Sequence, residues 1–465
     1  MPPRPEGRAV APSHGSSPAT QGAFLHRLFE PVDIASLVYF RIAFGAIMLW
    51  EVYSYFGHGW IKRYYIDPTF YFTYYGFGWI RPWPGNGMYL HFFALGALAI
   101  CIILGLWYRI SASLFFLGFT YVFLLDQTNY LNHHYLVSLV SLLMIFLPAH
   151  RALSIDASRR PDIRSDTAPT WALWLLRAQI SIPYFYGGLA KLNGDWLLGG
   201  EPMRTYLATR TDVPIIGPLF AEEWMVFLLS YGGLLLDLFV VPLLLWHPTR
   251  VFGFAAAVMF HLLNVLLFNI GIFPWFMIVA TALFFSPGWP RLGGRWWPVT
   301  GRKQPRPANT SSLRSGQRAT IVLLGSYLAI QFFLPLRHFL YPGDVNWTSE
   351  GTHFSWRMMM EFKRHEAKFL ATEPVSHTTW EVNPEQYLTR RQQRKVRIQP
   401  DMILQFCHYI AGKLRQEGHG EIEVRARVMV SLHGRRPQLL IDPTINLAAQ
   451  PRTLMPAPWI MPLQE

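Results

Sequence analysis

One lysine, Lys191, lies at the end of an otherwise apolar segment, SIPYFYGGLAKLNGDW. An ammonium group in or near a bilayer is costly, and ionisable residues in such positions generally mark a functional site. Desolvation disfavours the charged form of an amine, so a lysine in this setting tends to lose its proton. We therefore predict a general base that faces an apolar cavity. The alternative is a lysine whose ammonium group reaches the membrane–water interface.

Further polar side chains lie in or next to apolar segments and could share that cavity. Asn132 and His133 open the segment NHHYL, and a histidine can transfer protons near neutral pH. The pair predicts an acid–base site or, alternatively, a polar position at the membrane interface. His261 and Asn264 lie one helical turn apart on one face, where they could also satisfy each other as a buried pair. His338 follows the last apolar segment.

Other chemistries receive little support from the sequence. Arg41, Arg177 and Asp237 are charged residues inside apolar segments, and we expect such charges to pair with one another. No HExxH or CxxC motif occurs, so we expect no metal site. Phosphate-binding and nucleophile-elbow motifs are also absent from the sequence. The two cysteines, Cys101 and Cys407, lie in an apolar and a polar region respectively, so we expect no disulfide between them.

The composition predicts a polytopic α-helical membrane protein. The chain is 51% hydrophobic and only 15% charged, whereas soluble proteins carry roughly 25% charged residues. Nine apolar segments, each near the ~20 residues that cross a bilayer, predict helices at 33–56, 88–107, 109–126, 133–149, 169–190, 222–247, 251–269, 271–287 and 318–336. Residues 1–22 are rich in Pro, Gly and Ser and predict a disordered tail. Residues 23–336 would then form the membrane domain that holds the cavity.

The distribution of charge predicts the orientation. Lys and Arg are concentrated in the segments that would face the cytoplasm if the N-terminus is cytoplasmic. An odd number of spans places residues 337–465 outside the cytoplasm. The net charge is +13, but residues 337–465 hold 17 Lys/Arg against 13 Asp/Glu, so we expect a lipid bilayer and not nucleic acid as the partner. A bacterial inner membrane is the preferred location, with the endoplasmic reticulum as the alternative.

Residues 337–465 predict a small α+β domain. THFSWRMMMEFKR alternates in hydrophobicity and predicts a strand, and EIEVRARVMVSLHGRRPQLLID predicts two strands joined at His433-Gly434. DMILQFCHYIAGKLRQEG has helical spacing and a glycine stop. The basic run RRQQRKVR predicts a solvated surface, or a site that attracts an acidic peptide or anionic lipid.

Several of these segments together resemble one enzyme family. FLLDQTNYLNHHYL, YFYGGLAKLNGDW, FHLLNVLLFNIGIF and LPLRHFLYPGDVNWTSEGTHFSW occur in order, with IDPTINLAAQ and WIMPL near the end. They are similar to signatures of the vitamin K-dependent γ-glutamyl carboxylases. The resemblance implies a lysine that deprotonates reduced vitamin K or a menaquinol-type naphthoquinol. Reaction with O₂ then gives a base that removes a glutamate γ-proton, the carbanion adds CO₂, and the quinone leaves as its epoxide.

The resemblance also assigns roles to individual residues. It implies that Lys191 is the base, although Ala190 stands where the animal enzyme has a second lysine. His133, beside Asn132, matches the histidine of the glutamate carbanion step. The other implied site residues are Asn132, His261, Asn264, Met358 and Met359 for the quinol, and His338, Trp347, Thr352 and Trp356 for the glutamate of a peptide or protein.

Two other functions stay open at this point. One is a quinol epoxidase or oxygenase that does not carboxylate protein, since the sequence ends soon after the predicted sheet. The other is a membrane transporter or scaffold that retains the fold without the chemistry. The carboxylase and the oxygenase both require a buried Lys191, whereas the transporter predicts that Lys191 and His133 line no common cavity.

Overall fold

The N-terminal part of the protein is a bundle of helices that follows the predicted apolar segments. A computed structural model describes residues 25–268, 270–293 and 313–464, and the predicted tail at 1–22 lies outside the described residues. The helices of nine or more residues between positions 35 and 333 are α1 (Ala35–Gly57), α2 (Gly87–Leu104), α3 (Tyr108–Leu124), α4 (Asn132–Phe146), α5 (Thr170–Ala190), α6 (Glu223–Leu245), α7 (Arg250–Leu267), α8 (Phe273–Thr281) and α9 (Ser315–Phe333). Each coincides with one predicted segment.

These helices make the chain an integral membrane protein. Among the described residues, α1, α2, α6, α7 and α9 are long and apolar enough to cross a bilayer. The helices α3, α4 and α8 are apolar but shorter. Nine spans, and the orientation derived from them, stay predictions.

Buried arginines hold the bundle together through backbone carbonyls and not through acids. Arg41 is fully buried on α1, and its guanidinium donates to the carbonyls of Ala149 at 2.9 Å and Ile103 at 3.2 Å. Arg177 on α5 donates to the carbonyls of Leu283 and Phe285 at 2.8 and 2.9 Å. The expectation that these charges pair with one another was therefore wrong for both arginines. Carbonyls left free at helix ends supply the partners instead.

A four-stranded antiparallel sheet and one long helix form the C-terminal domain. The strands are β3 (Lys363–Glu373), β4 (Thr378–Val382), β5 (Glu423–Leu432) and β6 (Gln438–Leu439), in the order β4-β3-β5-β6, and β1 (Pro31–Asp33) pairs with β2 (Thr167–Pro169) in the bundle. The predicted hairpin is confirmed, with His433 and Gly434 at positive φ as a two-residue turn requires. The predicted helix is also confirmed as a helix over Pro400–Gln416, which packs its apolar face on the sheet.

The segment before β3 is not the predicted strand. Strand geometry begins only at Lys363, and Phe354, Trp356 and Met359 have positive φ values of 63°, 58° and 56°. Alternating large residues therefore do not reflect a sheet here, because the chain turns repeatedly and inserts its apolar side chains into the bundle. Phe354 and Trp356, for example, lie 4.9 and 5.0 Å from the ring of Tyr135 on α4. We call residues 352–362 the inserted loop.

The basic run forms a contact with the bundle. Its first part is the helix α10 (Arg390–Val396), followed by the long helix α11 (Pro400–Gln416). Arg391 donates to the carbonyl of Thr128 at 3.2 Å. Gln392 donates to the Asp126 carboxylate at 2.9 Å and to the Phe70 carbonyl at 2.7 Å. Part of the run therefore joins the C-terminal domain to the loops of the bundle.

Candidate functional site

Lys191 is buried at the end of α5 and is paired with an aspartate. The residue is 6% exposed, and its ammonium nitrogen lies 2.5 Å from Oδ2 of Asp237 on α6 and 3.0 Å from the Gly187 carbonyl. The same nitrogen lies 5.2 Å from the ring of Trp196. The sequence predicted a buried amine here but did not predict this partner. A carboxylate at this distance can share or exchange a proton with the amine.

Two glycines explain how α5 and α6 approach each other at this point. A Cβ at Gly187 would lie 3.1 Å from Oδ2 of Asp237 and 3.3 Å from the terminal methyl of Met358. A Cβ at Gly188 would lie 2.7 Å from the Leu238 side chain. Small residues allow close packing of helices in membranes. The Gly-Gly pair one turn before Lys191 could therefore have predicted, from the sequence, that another helix packs closely against α5 at this point.

A series of contacts leads from the Lys191 helix to His133. Tyr184 lies two helical turns before Lys191, and its hydroxyl oxygen lies 2.6 Å from Nε2 of His261. The His261 ring lies 5.9 Å from Phe273, and Phe273 lies 5.7 Å from His133. The structure thus brings the helices that carry the predicted base and both predicted histidines into one contact chain, although Phe273 separates the two imidazoles. Asn264 is half-buried beside this chain.

Two ring nitrogens in this region are left without a partner. Nδ1 of His261 and Nε1 of Trp356 are buried and have no hydrogen bond within the described part of the chain. Buried polar atoms are nearly always satisfied. An unpaired buried donor or acceptor can instead bond a water or a ligand oxygen.

The inserted loop packs against the end of α5 that carries Lys191. Met358 reaches Gly187, as described above, and Met360 packs with Ala190 and Trp196. Trp356 is 1% exposed, and Met359 occupies the positive-φ turn between these side chains. The loop therefore places an apolar wall from the C-terminal domain against the Lys191–Asp237 pair.

Asn132 connects this loop to α4. Its side-chain oxygen accepts from the Tyr130 hydroxyl at 2.9 Å, and that hydroxyl accepts from the Phe354 backbone N–H at 2.7 Å. Asn132 is thus placed to hold the loop, and its contacts lie beside His133 on the first turn of α4.

Three predicted glutamate-binding residues lie elsewhere and support the local fold. Trp347 is buried in the core of the C-terminal domain and donates to the Met461 carbonyl at 2.7 Å. Thr352 donates to the Ser349 carbonyl at 2.9 Å. His338 pairs through Nδ1 with the Pro335 carbonyl at 2.8 Å. The residues next to them in sequence, Arg337, Thr348 and His353, line a cavity.

That cavity lies between the bundle and the C-terminal domain and was not predicted. Its volume is about 390 Å³. Its wall includes Arg337, His353, Phe354, Asp401, Arg452 and the segment 450–460. Arg452 pairs with Asp401 at 2.6 Å. The burial of His353 and the nearby Arg337 guanidinium lower the pKa of this imidazole to about 4. These residues are far apart in sequence, so only the fold reveals that they share a wall.

The fold and the site together define a class of membrane protein in which a helical bundle buries a lysine–aspartate pair beneath a loop from an extramembrane α+β domain. Comparison with known families gives two matches. The HTTM domain family matches residues 29–289, and the lumenal domain of the vitamin K-dependent gamma-carboxylases matches residues 316–465. The chain therefore belongs to the vitamin K-dependent gamma-carboxylase family, as the sequence resemblance implied. No solved structure matches the chain significantly.

Proposed function

We propose that this protein is a carboxylase that couples the epoxidation of a reduced naphthoquinone to the addition of CO₂ to glutamate. The observation that carries the proposal is the buried Lys191–Asp237 pair. Family membership supports it, because the pair falls within a matched carboxylase-family chain. The C-terminal domain would then lie outside the cytoplasm, consistent with the positive-inside pattern.

Lys191 and Asp237 would act together as the proton acceptor. An ammonium ion has no lone pair, so Lys191 can accept a proton from a quinol hydroxyl only after giving up one of its own. Asp237, at 2.5 Å, is placed to take that proton. Away from water an ion pair loses much of its advantage over the neutral amine and acid. Because water is excluded, the ionic and neutral forms of the pair become closer in free energy, so a proton can move between Lys191 and Asp237.

The surrounding residues fit a lipophilic quinol. The unpaired nitrogens of His261 and Trp356 could bond its oxygens, and Met358 and Met360 supply apolar contact. When bound, the quinol would be oxidised by O₂, and that oxidation would drive the removal of the glutamate γ-proton. The chain's own residues exclude water from that step, because the inserted loop covers the extracytoplasmic end of the pair.

His133 and the 390 Å³ cavity would serve the glutamate. His133 lies at the other end of the contact chain from His261, where it can orient or exchange a proton with the substrate. The cavity wall contains residues 348–351 and residues 353–354 of the inserted loop. A glutamate-bearing peptide in this cavity would approach the bundle beside Asn132 and His133.

The test is an assay of purified protein with reduced menaquinone or vitamin K, a glutamate peptide and labelled bicarbonate. We expect epoxide and labelled peptide in equal amounts. Lys191→Arg should abolish both, because a guanidinium group does not deprotonate in proteins. Lys62→Arg is the matched control, since Lys62 is exposed and pairs with Asp67. Epoxide formation without labelled peptide would support the oxygenase instead. If folded protein forms neither product, the result would support a transporter or scaffold.

A further inference from the structure

The proposed reaction must release a proton from a dry site. Quinol, O₂, a glutamate γ-C–H and CO₂ give quinone epoxide, a new carboxylate, one water and one proton. The C–H bond breaks, a C–C bond to CO₂ forms, and the quinol is oxidised by O₂. One proton must therefore leave the enclosed site in every turnover. The inference below rests on this proposed function.

A second buried acid–base pair continues the contact chain beyond His133. Nε2 of His134 lies 3.2 Å from the carboxylate of Glu51 on α1. The two residues are 7% and 6% exposed. The ring of His134 lies 4.7 Å from the ring of His133. This pair takes no part in the site described above.

The pair faces a small enclosed cavity with an unsatisfied polar group. The cavity has a volume of about 10 Å³, close to the smallest space that holds one water. Its wall is mostly apolar but includes Glu51, His134 and Asn129, together with two tyrosines. Asn129 is 8% exposed, and its Oδ1 has no hydrogen-bond partner among the residues that the structure describes. An acceptor, a carboxylate and an imidazole around one such space are the surroundings that a bound water needs.

We propose that Glu51, His134 and a water at Asn129 form the route by which the reaction's proton leaves the site from His133. The imidazole of His134 connects the neighbouring His133 to the Glu51 carboxylate, and the water extends the path to Asn129 in the loop before α4. That loop lies under the C-terminal domain, at the predicted extracytoplasmic end of the bundle.

Other titratable groups border this route from each adjoining element. Tyr55 on α1 and Tyr65 of the short helix Trp60–Tyr65 line the cavity. Asp126 and Arg391 lie at its outer side, where Arg391 donates to Thr128 in the same loop as Asn129. The phenols of Tyr55 and Tyr65 lie in the cavity wall, and Asp126 joins the loop to Gln392 of the C-terminal domain.

The test variant is Glu51→Gln, which keeps an oxygen toward His134 but cannot carry a proton. In the coupled assay we expect a fall in turnover of roughly tenfold or more, with an unchanged KM for the quinol. The solvent deuterium isotope effect should rise, and proton release reported by an indicator dye should become slower than epoxide formation. Glu51→Asp should recover part of the rate. Glu222→Gln, at an exposed carboxylate, is the control and should behave like the parent.

The possible outcomes distinguish a failure of this proton route, which we call the relay, from a failure of the proposed function. Parent protein that forms no epoxide would refute the function, and the relay with it. Active parent protein with Glu51→Gln unchanged in turnover, isotope effect and proton release would overturn the relay alone. Asn129→Leu, which fills the water position with an apolar side chain, should reproduce the isotope effect and decides the matter if Glu51→Gln does not fold. Normal proton release by folded Asn129→Leu would equally overturn the relay.

Discussion

At the scale of single residues, Lys191 and Asp237 should stabilise the fold only as a pair. Removing one partner of a buried ion pair leaves an uncompensated charge and costs about 3–5 kcal/mol, whereas replacing both by apolar residues is often nearly neutral. We expect Asp237→Leu and Lys191→Met each to lower the melting temperature in detergent. The double variant should recover most of the loss but remain inactive. A double variant no more stable than either single one would show that the two residues are not energetically coupled.

Gly187 should matter for activity more than for stability. An added methyl would meet the Asp237 carboxylate and Met358 at 3.1 and 3.3 Å, so Gly187→Ala should displace the lysine's partner while helix propensity favours alanine. We expect a large fall in epoxide formation with a small change in melting temperature. Gly325→Ala on α9 is the control, because nothing lies within 4 Å of its added methyl. Equal activity of the two variants would contradict the close approach of α5 and α6.

At the scale of secondary-structure elements, hydrophobicity was sufficient to place the helices but not the inserted loop. Runs of apolar residues near bilayer length mark helices because length and apolarity are the physical requirements for spanning. The inserted loop has the same alternation as a strand, yet three of its residues adopt positive φ. Its alternation reflects contacts with α4 and α5, which local sequence does not contain. The sequence likewise identified Asp237 as a charge inside an apolar segment. That it pairs with Lys191 and not with an arginine depends on how α5 and α6 pack.

A salt bridge between elements should help to position Lys191. Asp195 lies four residues after the lysine, and its carboxylate contacts the β5–β6 hairpin. It lies 2.8 Å from Nδ1 of His433 and accepts hydrogen bonds from the Arg435 guanidinium at 2.5 and 3.0 Å. The next residue, Trp196, lies beneath the Lys191 ammonium and donates to the Ser230 carbonyl. The hairpin therefore holds the short segment on which the lysine's aromatic contact depends.

Charge reversal tests that contact. Asp195→Lys and Arg435→Glu should each destabilise the protein by about 1 kcal/mol, as expected for a partly exposed pair, and should each reduce turnover. The double reversal should restore part of both. Arg436→Glu, at the exposed neighbouring position, should leave turnover unchanged. If the double reversal is as impaired as the sum of the single variants, the hairpin does not act on the lysine through this pair.

At the scale of the whole molecule, the bundle and the C-terminal domain meet through polar contacts as well as through the inserted loop. Asp126, 1% exposed, accepts from the backbone and hydroxyl of Thr128 at 2.8 and 2.7 Å and from Gln392 of α10 at 2.9 Å. Burial raises the pKa of this carboxyl to about 6, although the hydrogen bonds oppose the shift. The contact between the two parts therefore contains a group that titrates near neutral pH.

The stability of the molecule should respond to that titration in a defined direction. The pKa of Asp126 in the folded state lies above its unfolded value of about 3.9, so its contribution is fully present below pH ~3.9 and is lost as pH rises through about 6. The difference between these two pKa values corresponds to roughly 3 kcal/mol of folding stability. His353 acts in the opposite sense, since burial lowers its pKa to about 4 and stability from it increases as pH rises toward 6.5. The informative measurement is thus the difference in melting temperature between the parent and Asp126→Asn at pH 5 and pH 7. The parent should lose stability relative to the variant over that interval, and a constant difference would mean that Asp126 is already ionised at pH 5, so that the contact does not raise its pKa.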